Sequence, residues 1–241
     1  MLRGRAHEHA RRVARAARSR GLSSSTRDFG SPAFWDAKYR SGRAPREWFA
    51  GADGVVGAVE AALRQEPGLS VLESVACLHV GCGLSELGFR TAQLFPHVHV
   101  TNVDTSAAAV EGLQSQGAAK YEPEVLARSK FVQDDVLDSK LASETFDLCI
   151  DKGTLDAVEF AGDAEVGRFL QGIHRLLRPG GLYLQVSTVD PGVRDAVTLA
   201  DVPWARVTWT NWTSDSLAEG ASEESDLDLW IYKFTKSVVH V

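Results

Sequence analysis

Four groups of residues have types and spacings that could do chemistry. The first is the turn Gly81-Cys82-Gly83, directly after the short apolar run Cys77–Val80. Glycine permits positive φ and close backbone approach to a ligand. The dinucleotide pattern G-x-G-x-x-G is not met, because Glu86 stands three residues after Gly83 and the next glycine is Gly88. A ligand without a pyrophosphate tolerates that looser turn. The second is Asp104, 21 residues after Gly83, at the end of a β-like run. A carboxylate there can accept both hydroxyls of a ribose. The third is Asp134-Asp135 after Lys130–Gln133. One acid can accept an adenine amino group, with the Val136 amide serving a ring nitrogen. Side chains alternate along an extended chain, so the other acid should face solvent; Asp135 is the better choice. The fourth is Asp151-Lys152-Gly153-Thr154-Leu155-Asp156, a charged stretch after the apolar Phe146–Ile150. Charge at a buried strand end is costly unless paired or used.

These residues need strand ends to hold them. Strand-like runs occur at Cys77–Val80, Val98–Val103, Lys130–Gln133, Phe146–Ile150 and Leu182–Val186. Helical segments are expected over Glu86–Leu94 and over Ser106–Gln116 with Ser106 as N-cap. Val166–Leu177 has apolar residues at amphipathic spacing. Arg178-Pro179-Gly180-Gly181 should end that helix. Two further strands, Arg206–Trp212 and Leu227–Thr235, flank an acidic loop, Ser214–Asp226. The pattern is α/β: a Rossmann-like, seven-stranded, mostly parallel sheet with helices on both faces. Ligands bind such sheets at the carboxyl ends of the strands, where the polar groups fall.

The chain of 241 residues is long enough for one such domain. Its charge is divided. Residues 1–27 carry eight arginines and one acid, and the remainder has a net charge of −13. An acidic body suits a basic protein partner better than nucleic acid. No apolar run approaches the roughly 20 residues of a membrane helix. Cys77, Cys82 and Cys149 form no CxxC pair and no zinc-ligand spacing, so buried reduced thiols are expected and no metal site. Residues 1–30, rich in arginine, alanine and serine, have the composition of an organelle transit peptide. The fold should begin near Phe34.

Together these motifs resemble the seven-β-strand, class I methyltransferases. Asp151–Ala157, Gly81–Leu87, Phe34–Tyr39 and Glu47-Trp48-Phe49 are similar to the methyltransferase-like group that includes the elongation factor 1A and citrate synthase lysine methyltransferases. Trp48-Phe49 with Gly51 and Val55, the stretch Ser187–Arg194, and the leader resemble the citrate synthase branch. The resemblance covers about residues 33–190 and implies a methyltransferase domain over 31–241, with a lid at 33–65. It implies S-adenosyl-L-methionine held by Trp48, Gly81, Gly83, Asp104, Thr105, Asp135, Val136 and Asp151, with Asp151 also catalytic. It further implies a protein lysine as acceptor, citrate synthase as partner, and residence in the mitochondrial matrix, or in a chloroplast if the host has plastids. His79 departs from the group: many class I enzymes carry an acid two residues before the first glycine. A neutral His79 would hydrogen-bond the turn or the ligand amine, or Glu86 would replace the acid less directly.

The implied reaction is in-line displacement of a sulfonium methyl by a lysine amine. Alignment supplies most of the rate, and the lysine must first lose its proton, against a pKa of roughly 10.4. Trp48 and Phe49 would wall the channel. Competing expectations are a small-molecule methyltransferase, a lysine methyltransferase of elongation factor 1A, and a non-catalytic assembly factor, since fold does not fix substrate. A nucleic acid acceptor would need a basic face and an Asn-Pro-Pro-Tyr-like motif where Asp151–Thr154 stands.

Overall fold

A computed structural model describes residues 29–192, 194, 202–212 and 228–238. The basic leader up to residue 28, Val193 and the Ser214–Asp226 loop lie outside the described residues.

Alternation with period two builds the centre of the sheet. In β1 (Val75–Val80), Val75 and Cys77 enter one core and Leu78 and Val80 the opposite one. In β4 (Phe146–Lys152), Leu148 and Ile150 share the face of Cys77, while Cys149 lies on the other. Strands buried on both faces read as continuous apolar runs, which is why these two were visible in the sequence. With β2 (Val98–Asp104), β3 (Ser129–Gln133), β5 (Leu177–Ser187), β6 (Trp204–Trp212) and β7 (Leu229–Lys236), they form one sheet of order β3-β2-β1-β4-β5-β7-β6. The first five strands are parallel. β7 inserts antiparallel between β5 and β6.

Helices cover both faces. α1 (Pro32–Arg40) precedes the sheet. α2 (Ala52–Gln65) buries Val55, Val56, Val59, Ala62 and Leu63 in the first core. That spacing marks a core helix over the second half of the segment 33–65. After the short α3 (Pro67–Ser70) come α4 (Leu87–Leu94), α5 (Ala107–Lys120) and α6 (Pro123–Ala127), all contributing to the same core. α7 (Thr154–Val158) and α8 (Asp163–Leu176) cover the other face. Ser106 caps α5 as expected, accepting from the Ala109 amide at 3.2 Å.

Helix α8 stops at Leu176, and β5 begins at once rather than after Gly181. The Arg178–Gly181 stretch is an irregular start to the strand: Gly180 has φ 79° and the register against β4 shifts between Phe146 and Leu148. Asp147, the one polar residue in its run, is paired with Arg178 at 2.8 Å. All three cysteines are buried and free.

The strand order reverses between β1 and β4, whose connections leave toward opposite sides. That opens a crevice at their carboxyl ends.

Candidate active site

A cavity of about 410 Å³ fills that crevice. Its floor comes from strand ends: Val80 and Gly81 after β1, Asp104 and Thr105 after β2, Asp134 to Leu137 after β3, and Lys152 to Thr154 after β4. Its roof is the segment before α2, with Phe29, Trp35, Tyr39, Trp48 and Phe49. Phe29, ahead of the expected start at Phe34, is already part of this roof. Phe29, Phe34, Trp35, Trp48 and Phe160 form an aromatic cluster of their own, apart from the two main cores. Trp35 packs edge-on to Trp48 with centroids 5.4 Å apart.

Of the residues expected at the site, Trp48, Gly81, Asp104, Thr105, Asp135 and Val136 line this cavity together. Gly81 and Gly83 have φ of 57° and 51°. A Cβ on Gly81 would lie 2.1 Å from Thr154 Oγ1, and one on Gly83 2.5 Å from the Tyr39 hydroxyl. Gly83 itself acts through its amide, which donates to Asp104 Oδ2 at 2.9 Å. The Ser106 amide donates to Asp104 Oδ1 at 2.9 Å. Burial raises the Asp104 pKa and these amides oppose the rise. Each carboxylate oxygen has a second lone pair, so Asp104 can still accept from a ligand.

Asp134 is half-buried and lines the same cavity as Asp135 instead of pointing away from it. Its carboxylate accepts from the Asp135 amide at 3.0 Å, the Ser139 hydroxyl at 2.5 Å and the Lys140 amide at 3.2 Å. It shapes the loop that presents Asp135, which itself caps the short turn Val136–Asp138 through the Leu137 amide.

Asp151 lies apart from the other expected residues. It is fully buried, lines no part of the cavity, and accepts from the Thr154 amide (2.7 Å), the Leu155 amide (3.1 Å) and the Tyr183 hydroxyl (2.7 Å). The reason is the pleat. Strand β4 runs on to Lys152, so Asp151 falls on the same face as Cys149 and Tyr183. Burial pushes its pKa up to about 6, partly offset by the Tyr183 hydroxyl. It caps α7.

The rest of the motif is equally engaged. Thr154 donates to the Val80 carbonyl at 3.0 Å and packs on Gly81. Asp156 accepts from the Ser187 hydroxyl, the Thr188 amide and Arg194, the last at 2.7 Å with both side chains 1% exposed. Arg194 also pairs with Glu159 and lies over the Tyr232 ring.

Neither His79 nor Glu86 reaches the cavity. His79 Nδ1 is 3.0 Å from Asn102 Oδ1. Glu86 is held by Gln116, Lys120 and Tyr121. The acid that meets the turn after Gly83 is one that sequence reasoning passed over, Glu47. It accepts from the Ser85 hydroxyl at 2.8 Å and the Glu86 amide at 3.0 Å, and it pairs with Lys152. The sequence signal was its place in Glu-Trp-Phe, where only the aromatics were weighed.

Burial lowers the His79 pKa to about 4, a nearby Lys152 adding to the fall. The unfolded chain therefore binds a proton that the folded one refuses. Stability from this site is full above pH 6.5 and is lost as pH falls toward 4. At about 1.36 kcal/mol per pKa unit, the loss is about 3 kcal/mol. Urea unfolding of wild type and His79→Gln at pH 7 and pH 4 should show the variant gaining on wild type by about that amount. An unchanged difference between the two pH values would exclude a neutral, buried His79.

A seven-stranded sheet of this order, with a carboxylate ending β2 beside a glycine turn and a roofed cavity at the strand ends, defines a Rossmann-like methyltransferase fold. Residues 73–234 match the family described as a methyltransferase domain, and the chain belongs to that family. It is 34% identical over 173 residues to human "Citrate synthase-lysine N-methyltransferase CSKMT, mitochondrial", covering 66% of this chain and 71% of that one. It is 28% identical over 164 residues to "Methyltransferase srdJ" of Neurospora crassa, covering 66% of each. It is 27% identical over 173 residues to bovine "eEF1A lysine and N-terminal methyltransferase", covering 69% of this chain. The chain thus spans just under two thirds of the fungal relative's length and 22% of the bovine one's. Among solved structures it resembles the [4+2]-cyclase SpnF, with a TM-score of 0.56, 15% identity, and coverage of 80% of this chain and 85% of that one. That likeness shows the fold alone.

The cofactor of this enzyme class is S-adenosyl-L-methionine, and the cavity fits it. Asp104 and Asp135 offer acceptors at two adjacent strand ends, Gly81 lines the cavity with bare backbone, and the roof is aromatic.

Proposed function

We propose that this protein is an S-adenosyl-L-methionine-dependent protein-lysine N-methyltransferase acting on mitochondrial citrate synthase. The observation that carries this is the 34% identity with the human citrate synthase-lysine enzyme over 71% of that relative's length. The leader supports it independently: the arginine-rich stretch ahead of Phe29 acts as a mitochondrial presequence, and the methyltransferase domain follows it. The acidic body suits a basic segment of a protein.

S-adenosyl-L-methionine supplies the electrophilic methyl group. The chain supplies position. Asp104 accepts the ribose hydroxyls, with Thr105 beside it. Asp135 and the Val136 amide read the adenine edge. Gly81 and Gly83 let the backbone approach the amino acid tail. Trp48 and Phe49 wall the acceptor end. An amine entering between apolar walls loses its preference for the charged form, so the lysine arrives without its proton. Asp151 acts at one remove, by fixing α7 and thereby Thr154 against Gly81.

The test uses labelled S-adenosyl-L-methionine and mitochondrial extract from a strain lacking this gene. Addition of the full-length protein should label one band, citrate synthase, at a lysine. Label on elongation factor 1A, or in the small-molecule fraction, would replace the substrate. No label with any fraction would remove the catalytic assignment.

A further inference from the structure

The roof carries a strained turn. Phe49 has φ 60°, outside the conformations that a phenylalanine adopts easily. The Ala50 amide donates to the Trp48 carbonyl at 2.7 Å, closing a three-residue turn on Phe49. A γ-turn with positive φ at its centre is the rarer, strained hand. Such a conformation persists only where its surroundings over-determine it.

Lys152 does so. Its side chain is 3% exposed. The ammonium has three donors, and three acceptors meet it: the Trp48 carbonyl at 3.0 Å, the Ala50 carbonyl at 3.1 Å and the Glu47 carboxylate. Two of these are the carbonyls on either side of Phe49. The third comes from a carboxylate fixed by Ser85 and Glu86, so the ammonium is neutralised without being freed to move. The turn delivers the Phe49 ring onto Gly153, where a Cβ would lie 2.5 Å from Phe49 Cε2. Gly153 has φ 81° and is Lys152's own neighbour.

We infer that Lys152, held by Glu47, is a positioning residue: it clamps the strained Phe49 turn that walls the cavity. The inference rests on the reading of that cavity as the methyl-transfer site. Its alternative is a plain ion pair, in which Lys152 neutralises Glu47 and the turn would form without it.

Hydrogen exchange at the Ala50 amide separates the two. Lys152→Met should speed Ala50 exchange by about tenfold, equal to about 1.4 kcal/mol, while the centre of β4 stays protected. Glycine takes positive φ without strain, so in a Phe49→Gly background the same substitution should change Ala50 exchange by less than about threefold. An equal acceleration in both backgrounds overturns the clamp. Calorimetry with S-adenosyl-L-homocysteine gives the second arm. Affinity should fall about tenfold in Lys152→Met, and no further in the double variant than in Phe49→Gly alone. Unchanged affinity in Lys152→Met overturns the positioning role. If Lys152→Met does not fold, Glu47→Gln weakens the same clamp and should raise Ala50 exchange; no rise overturns it too. Wild-type protein that fails to bind S-adenosyl-L-homocysteine rejects the cofactor reading, and the exchange arm still decides the clamp.

Discussion

Replacing Asp104 with alanine is expected to lower affinity for S-adenosyl-L-homocysteine by about 100-fold or more. Hydrogen bonds to a charged group are worth about 1.5–3 kcal/mol each, and a ribose offers two hydroxyls to this carboxylate. At about 1.4 kcal/mol per factor of ten, the loss of both exceeds two orders of magnitude. The carboxylate also holds the Gly83 and Ser106 amides, so the glycine turn loosens as well. Asp104→Asn keeps the shape and one acceptor, and it should lose less than alanine. Calorimetry on variants that retain a cooperative thermal transition checks this. An unchanged dissociation constant in a folded Asp104→Ala protein would take the ribose role from this residue.

The second large effect is on stability. Arg194→Met should cost about 3–5 kcal/mol, the range found when one member of a buried ion pair is removed. Asp156 is as buried as Arg194, and Glu159 shares the same guanidinium. Burial already pushes the Glu159 pKa up to about 7 against the pull of Arg194. Without the arginine it rises further, and protonation then relieves the stranded charge. The loss should therefore be largest above pH 7 and shrink as pH falls toward 5. Urea unfolding at the two pH values measures it. A shift below about 0.5 kcal/mol, the size of an ordinary surface substitution, would mean that Arg194 does not anchor the end of this segment to α7.

The sheet was legible because its central strands are buried on both faces and end in residues that such strands seldom carry. Asp104 stood out for that reason, whereas Asp134-Asp135 follow the half-buried edge strand β3 and stood out as adjacent acids. The roles within Asp151–Asp156 were not legible. Whether an acid meets the cavity or the core depends on where β4 ends, and two more residues of strand turned Asp151 inward. The exchange of partners between Asp156 and Arg194 joins groups 38 residues apart, which no local pattern reveals. The position of β7 between β5 and β6 is likewise a long-range choice. Helix α2 could have been found, because Val55, Val56, Val59, Ala62 and Leu63 recur at helical spacing. Glu47 carried a signal in Glu-Trp-Phe, but its role became visible with Ser85, Glu86 and Lys152 brought to it.

The roof has one more consequence, for the order of events in folding. Its anchors span long stretches of chain: Asp36 to Ser106 is 70 residues and Glu47 to Lys152 is 105. During synthesis the roof emerges before β4 and must wait for it before it can settle. Closing loops of that length carries an entropic cost that the strand pairs of the finished sheet no longer bear. With its aromatic cluster separate from the main cores, the roof should be the last part to dock and the first to lift in the native protein. A nucleoside can then enter and leave through that opening while the sheet stays folded.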